Sequence, residues 1–296
     1  MRIVVTGGHG LVGSQLVPRL RAAGHDVFAV DVTASAEHRM DITDPASVEA
    51  GFAALIPDHV VNLAAYTAVD ACETNSEVAA SVNALGAGHV AAACARHGAF
   101  LTHISTDYVF DGEKGVPYTP SDPTSPQSVY ARTKLDGETA IQAALPEGSW
   151  QIVRCQNIYG EVAESFPRAI LDRVRAGKPV FGVTDQILSP TYAGDVAAGV
   201  AACTELGIGA PGVLLLSSRG ACSRYLYVKR ILEFGGFPDT PIAAWTHARV
   251  GATYPDLATR PRYAVFDHDD LEHRTGHRPP HWEAALRTFL TAEEQV

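Results

Sequence analysis

The stretch Arg2-Ile3-Val4-Val5-Thr6-Gly7-Gly8-His9-Gly10-Leu11-Val12-Gly13 decides how the chain is to be read. A β-branched run closed by glycines is the pattern of a short buried strand, and Leu16, Leu20 and Ala23 then recur at helical spacing up to Gly24. Strand, glycine turn and helix follow in that order. Gly7, Gly10 and Gly13 form a G-x-x-G-x-x-G pattern, in which glycines permit a tight turn and the helix N-terminus offers N–H groups to a diphosphate. With 26 glycines in 296 residues the pattern is weak by itself. It gains weight from Val27 to Val30, a second apolar run, which closes on Asp31. A carboxylate at about that distance from the turn accepts from both ribose hydroxyls of an adenosine.

Working outward, the alternation continues. Asp41-Ile42-Thr43-Asp44-Pro45 reads as a loop closing on a helix N-cap, with the helix running to Leu55. His59 to Tyr66 is a strand ending in small residues, Ala64 and Ala65, that suit a flat ligand. Thr74 to His97 reads as one long Ala-rich helix with Asn83 as its isolated polar residue, serving either a helix-interior hydrogen bond or a function. Phe100 to Ser105 and Gln151 to Cys155 are further strands. Strands alternating with helices predict an α/β fold, a Rossmann-type doubly wound parallel sheet with ligands at the carboxyl ends of its strands. Past residue 160 the alternation weakens. The expected layout is a dinucleotide-binding domain over 1–160 and a smaller, mainly substrate-binding region over 161–296, with Val213 to Ser217 a candidate to return to the sheet.

Ser105-Thr106-Asp107-Tyr108-Val109-Phe110-Asp111-Gly112, a polar loop to Ser128, and Tyr130-Ala131-Arg132-Thr133-Lys134 hold the candidate chemistry. Four residues apart, Tyr130 and Lys134 share a helix face. An ammonium beside a phenol that otherwise titrates near pH ~10 favours the phenolate and makes it a better proton donor. Thr106 offers a hydroxyl to the same substrate oxygen. Tyr225 and Lys229 have the same spacing, so spacing alone nominates neither pair. Tyr225 lies in SRYLYVKRILEF, whose apolar residues recur at helical spacing and indicate packing.

Composition narrows the partners. The chain is 46% hydrophobic, 19% charged and carries a formal charge of −10 without a basic run, which argues against nucleic acid and anionic membranes. Met1 leads at once into a strand, and no apolar run reaches the ~18 residues of a membrane span, so a cytoplasmic protein is expected. Cys72, Cys94, Cys155, Cys203 and Cys222 are scattered and odd in number, which fits buried free thiols. His268, His273, His277 and His281 lack paired-ligand spacing and read as a solvated tail, not a metal site.

Taken in order, these motifs, with Val61 to Asp70, Gly137-Glu138, Asp185-Gln186, Pro190-Thr191, Tyr254-Pro255 and Arg260-Pro261, carry a resemblance. The chain is similar over essentially its whole length to the extended short-chain dehydrogenase/reductases, and within them to the dTDP-4-dehydrorhamnose reductases. The resemblance implies NAD(P)H-dependent reduction of a 4-keto group on a nucleoside-diphosphate-linked deoxysugar. Gly7, Gly10, Leu11, Val12, Gly13, Asp31, Asp41, Ile42, Ala64, Ala65, Tyr66 and Thr67 would hold NAD(H) or NADP(H), with Tyr130 and Lys134 at the nicotinamide ribose. Thr106, Tyr130 and Lys134 would be the catalytic set, with Asp107 and Asn157 at the sugar. Asp31 favours NADH, although Arg39 lies close enough in sequence to turn toward a 2′-phosphate. Arg260, its approach fixed by Pro261, is expected to grip the substrate diphosphate and not to form a structural ion pair.

Two departures stand out. Some members carry a Glu that helps bind magnesium between subunits where this chain has Gln15, a poor ligand for that ion, and no metal is expected. Where those members stack a Trp on the sugar, this chain has Asn157. A homodimer is a further implication of the family. Two other readings stay open: a ring-contracting or epimerising enzyme on a related sugar nucleotide, and a non-catalytic dinucleotide-binding regulatory subunit, to which Tyr159-Gly160-Glu161-Val162 is also similar.

Overall fold

The β-branched run at the N-terminus lies inside a seven-stranded sheet. The computed structural model describes residues 1–33, 36–162, 165–205 and 211–293. In it β1 (Arg2–Thr6), β2 (Asp26–Asp31), β3 (His38–Arg39), β4 (His59–Asn62), β5 (Phe100–Thr106) and β6 (Trp150–Cys155) are joined by the strand Gly212–Leu216. Their spatial order is Gly212–Leu216, β6, β5, β4, β1, β2, β3. Every pairing is parallel. The chain moves outward from β1 through β2 to β3, then crosses back to place β4 on the other side of β1. That reversal opens a crevice at the carboxyl ends of β1 and β4, where open α/β sheets take their ligands.

Both faces of the sheet are covered, which is why its central strands carry long apolar runs such as Ile3 to Val5 and Val60-Val61, while the polar residues in them, among them Asn62, Thr102 and His103, are buried. Ile3 and Val5 pack with Leu16, Leu20, Val196 and Val200 on one face. Val4, Val60 and Leu101 pack with Phe52, Val90 and Ile141 on the other. The strand Gly212–Leu216 belongs to the second half of the chain, so the sheet itself straddles residue 160.

The helix expected from Thr74 to His97 is interrupted. A short helix, Val69–Thr74, ends at Asn75, and the run Ser76–His97 continues through a π-helical turn at Ser81–Gly86. This run also qualifies the expectation of no segment apolar enough to span a membrane: it is 22 residues long and holds an 18-residue window of mean hydropathy 1.4, enough to cross a bilayer by length and composition alone. Ala79, Val90, Ala91, Ala93 and Cys94 are nevertheless buried in the fold.

Beyond β6, short strands and helices build a second core around Tyr159, Tyr227, Trp282 and Phe289. The helix Arg224–Phe234 carries the second Tyr-x-x-x-Lys pair: Tyr225 lies against Gly182 and Lys229 is exposed. The histidine tail is less solvated than its sequence implies. His268 meets the Ser217 hydroxyl at 3.0 Å, and His277 is also partly buried. All five cysteines are free and buried.

Candidate active site

A cleft of about 710 Å³ opens at the switch point. It brings together Gly7, Gly10, Leu11, Val12 and Gly13 of the glycine turn, Asp31 at the end of β2, Asp41 and Ile42, Ala64 to Thr67 after β4, and Thr106, Asp107, Tyr130, Lys134 and Asn157. Arg260 is the one expected site residue outside that lining.

The glycine turn is tight enough to need its glycines. Gly7 has φ +62°, and a Cβ on it would lie 3.0 Å from the Ala64 nitrogen; one on Gly13 would lie 2.4 Å from the Gly7 carbonyl oxygen. The first turn of the helix Gly13–Ala22 is thereby drawn against the end of β1 with no side chain capping its start, the arrangement in which a helix N-terminus takes a diphosphate. Asp31 Oδ1 accepts from Val32 N at 2.8 Å, which holds the carboxylate at the rim. Asp41 accepts from both the N–H and the hydroxyl of Thr43 (2.9 and 2.7 Å) and so shapes the loop that carries Ile42. These residues fit a dinucleotide.

The opposite wall explains the π-helical turn. Asn83 sits in it, buried, and its side-chain oxygen accepts from Tyr66 N (2.8 Å) while its amide donates to Tyr66 O (3.1 Å) and Thr133 Oγ1 (3.2 Å). One side chain thus clamps both backbone groups of a cleft residue and ties them to the Tyr130 helix. In place of the helix-interior hydrogen bond read for Asn83, the structure gives a long-range clamp, to a residue 17 positions away.

Tyr130 lies in the first turn of the helix Val129–Ala144, whose start is fixed by Ser128 Oγ accepting from Ala131 N (3.2 Å) and by Glu73 accepting from Val129 N (2.8 Å). Its ring meets Tyr108 edge to face at 5.5 Å. Thr106 ends β5; its hydroxyl caps Tyr108 N at 3.2 Å and donates to Asp107 Oδ1 at 3.1 Å. Asp107 is only 2% exposed, and burial raises its carboxyl to about 7 against the opposing pull of the Thr106 hydroxyl.

Lys134, one turn beyond Tyr130, donates from Nζ to Ile104 O (2.7 Å) and meets His103 Nε2 at 3.2 Å. Burial lowers it to about 8, with the Glu138 carboxylate opposing. The Tyr130 phenol departs from the sequence expectation. Burial pushes it up, the neighbouring Thr106 hydroxyl acts to bring it down, and Asp107 adds to the rise. The Lys134 ammonium donates to the Ile104 carbonyl, and at the phenol burial outweighs the lowering expected from the spacing. Behind the helix, Glu138 takes two bonds from Arg154 (3.0 and 2.7 Å) and one from Ser105 (2.5 Å), all buried, which pins it to β5 and β6.

Arg260 also departs from expectation. It donates to Asp70 Oδ2 and to Ala258 O, both at 2.7 Å, while Asp70 Oδ1 accepts from Ala258 N at 2.9 Å. This is the ion pair that the sequence reading set against a diphosphate role. A different arginine, outside the lining like Arg260, touches it through Asn157. Arg224 donates to Gln186 Oε1 (2.8 Å) and to Asn157 Oδ1 (3.1 Å), with its guanidinium 4.6 Å over the Phe166 ring. Asn157 presents that oxygen from a left-handed backbone, φ 45°. Sequence reading missed Arg224 because it opens the helix judged to be packing. Its link to Asn157 spans 67 residues, and no local pattern encodes it.

Such a sheet, with a glycine turn at its switch point, an acid at the end of β2 and Thr106, Tyr130 and Lys134 on the same cleft, defines an NAD(P)-dependent oxidoreductase of the short-chain dehydrogenase/reductase type. More narrowly, the family described as RmlD substrate binding domain matches residues 1–295, and the chain belongs to that family. It is 40% identical over 300 residues to dTDP-4-dehydrorhamnose reductase of Mycobacterium tuberculosis strain H37Rv, spanning 98% of this chain and 93% of that protein. A crystal structure of a dTDP-4-dehydrorhamnose reductase from Clostridium acetobutylicum superposes with a TM-score of 0.90 at 32% identity, covering 99% of this chain and 100% of the other. That of the Bacillus anthracis enzyme in complex with NADP gives 0.89 at 28%, covering 98% and 99%.

Proposed function

We propose that this protein reduces the 4-keto group of a deoxyhexose carried on a nucleoside diphosphate, in the manner of the dTDP-4-dehydrorhamnose reductases. The observation that carries this reading is the convergence of Thr106, Tyr130 and Lys134 on the cleft that also holds the glycine turn and Asp31. The dinucleotide, when bound, supplies the hydride for the ketone carbon. Gly7 to Gly13 hold its diphosphate and Asp31 its adenosine ribose. Tyr130 Oη delivers the proton to the sugar oxygen, a step of general acid catalysis. Thr106 Oγ1 orients that oxygen. Lys134, with a third N–H beyond those engaged by Ile104 and His103, turns it to the ribose and to the phenol, and brings Tyr130 down into a working range.

With its carboxyl raised to about 7, Asp107 is protonated in part near neutral pH, and in that form it donates to a sugar hydroxyl or oxygen where a carboxylate only accepts. Arg224, already oriented by Gln186 and Asn157, is the cation best placed to receive the substrate diphosphate. Arg260 joins it only by leaving Asp70. NADH is favoured over NADPH, because Asp31 accepts from an unmodified 2′-hydroxyl and repels a 2′-phosphate. The test is NADH oxidation on addition of dTDP-4-dehydrorhamnose, with the product identified by mass spectrometry. Tight dinucleotide binding with no turnover on any keto-sugar nucleotide would favour the regulatory-subunit reading instead.

A further inference from the structure

Behind Lys134 runs a chain of buried polar groups that the reaction outlined above does not use. Thr6 Oγ1 at the end of β1 lies 2.5 Å from Asn62 Oδ1 at the end of β4, and the Asn62 amide nitrogen lies 3.0 Å from His103 Nδ1 in β5. The other ring nitrogen of His103 meets Lys134 Nζ at 3.2 Å. Thr6, Asn62 and His103 are each at most 1% exposed. Bulk water does not reach them, so a lost partner is not replaced. Both ends of the chain, Thr6 and Lys134, face the cleft.

A neutral imidazole carries one ring proton, and burial followed by the Lys134 charge holds His103 well below the usual histidine range. When Lys134 is an ammonium, Nε2 must accept. The ring proton then sits on Nδ1, and Asn62 turns its carbonyl oxygen to the ring and its amide N–H to Thr6. When Lys134 is a neutral amine, Nε2–H donates to it, Nδ1 accepts from the Asn62 amide, and Thr6 donates to the Asn62 carbonyl. The ammonium therefore has one matched arrangement of the three groups, while the neutral amine, with two N–H groups and a lone pair, accommodates both. A mismatch sets donor against donor where no solvent can intervene.

We infer that His103 is a positioning residue for the reduction: backed by Asn62 and Thr6, its imidazole fixes where Lys134 Nζ points and which protonation state it keeps. The inference rests on Lys134 acting as set out under the proposed function. Other titratable groups near Lys134 are Tyr130 and Glu138 on its own helix, the latter bound to Arg154 of β6, and the Cys155 thiol of β6. None of them contacts the Asn62 side of the ring in the way that the chain does.

The experiment is kcat against pH for the purified full chain, with saturating NADH and dTDP-4-dehydrorhamnose. Activity that needs the ammonium falls as pH rises through the Lys134 transition, which burial has brought to about 8. Lys134→Met comes first, since turnover that survives it sinks the Lys134 reading itself, whatever His103 does. His103→Phe removes the acceptor: kcat is expected to drop about tenfold or more, with the alkaline fall starting roughly half a pH unit or more lower and the sugar-nucleotide KM within about threefold of the parent. Asn62→Asp presents only acceptors to the ring, keeps Nε2 free to accept, and moves the fall to higher pH. His103→Gln supplies a carbonyl acceptor in similar space and leaves the fall near its original pH. If the fall stays put in both Asn62→Asp and His103→Phe, or in Asn62→Asp alone where His103→Phe does not fold, while only kcat or the melting temperature declines, His103 is structural filling and the inference is wrong.

Discussion

Tyr130 and Asp107 both neighbour the Thr106 hydroxyl, and burial raises both, so the proton inventory of the site depends on a few side chains whose loss is measurable. Tyr130→Phe deletes only the phenolic oxygen; turnover should fall about 10²- to 10⁴-fold with the dinucleotide dissociation constant nearly unchanged. Tyr225→Phe, against Gly182 and away from the cleft, should be kinetically silent, and the reverse ranking would move the site. For Asp107 the sign of the linkage is definite. Its folded value, about 7, lies above the ordinary 3.8, so the folded state binds the proton more tightly and stability declines as pH rises from roughly 4 to 7. Asp107→Asn removes that decline. The variant should melt higher than the parent at pH 8 and about level with it at pH 4, while losing activity; equal melting shifts at both pH values would refute a raised carboxyl. Paired kcat/KM measurements test Asp31 in the same way, with a clear NADPH preference contradicting the expected choice of NADH. At this scale the sequence was most legible where chemistry is local. Thr106, Tyr130 and Lys134 could be named from order and spacing, whereas Arg224 and His103 matter through partners dozens of residues away. The ion pair of Arg260 was illegible for the same reason, since Asp70 is 190 positions distant.

Among the elements, the glycine turn and most strands of the large sheet followed directly from apolar runs and their punctuation, to within a residue or two, but β4 stops at Asn62, four residues short of the expected Tyr66, and the exposed pair His38–Arg39 carries no apolar run to announce β3. The π-helical turn did not, because an extra residue in a helix leaves no compositional trace; it is set by what Asn83 reaches. Gly137 shows how close that approach is, since a Cβ there would lie 2.3 Å from the Asn83 carbonyl oxygen. Asn83→Ala strands both the N–H and the C=O of Tyr66, at a cost of about 1–3 kcal/mol for each buried group left unpaired. We expect a lower melting temperature together with a raised KM for the dinucleotide, because the freed segment is cleft wall. A variant that loses stability but binds the dinucleotide normally would reduce the clamp to a packing device. The Arg260–Asp70 pair works between elements too. Both partners are partly exposed, so Asp70→Ala should cost no more than about 1 kcal/mol in stability. A large rise in the sugar-nucleotide KM in Arg260→Ala but not in Asp70→Ala would restore the diphosphate role first assigned to that arginine.

On the scale of the whole molecule, the sheet is completed by a strand that the ribosome delivers late. Until Gly212–Leu216 is made and docked, β6 is an open margin: Gln151 to Cys155 offers a row of main-chain hydrogen-bonding groups with nothing beside them, on an apolar strand built to be covered. Such margins template other chains. A polypeptide stopped at residue 160, the boundary that sequence punctuation suggests, should therefore not behave as a small independent dinucleotide binder. It should form soluble oligomers or precipitate, seen as an early-eluting species by size-exclusion chromatography with light scattering, whereas a monodisperse monomer that binds NADH would show that the late strand is dispensable. Replacing Val153 with Lys in that fragment should reduce the self-association. The same geometry makes nascent chains vulnerable for the time taken to synthesise the residues between β6 and its last neighbour. During that interval a chaperone has a defined stretch to shield, and slow translation there lengthens the exposure.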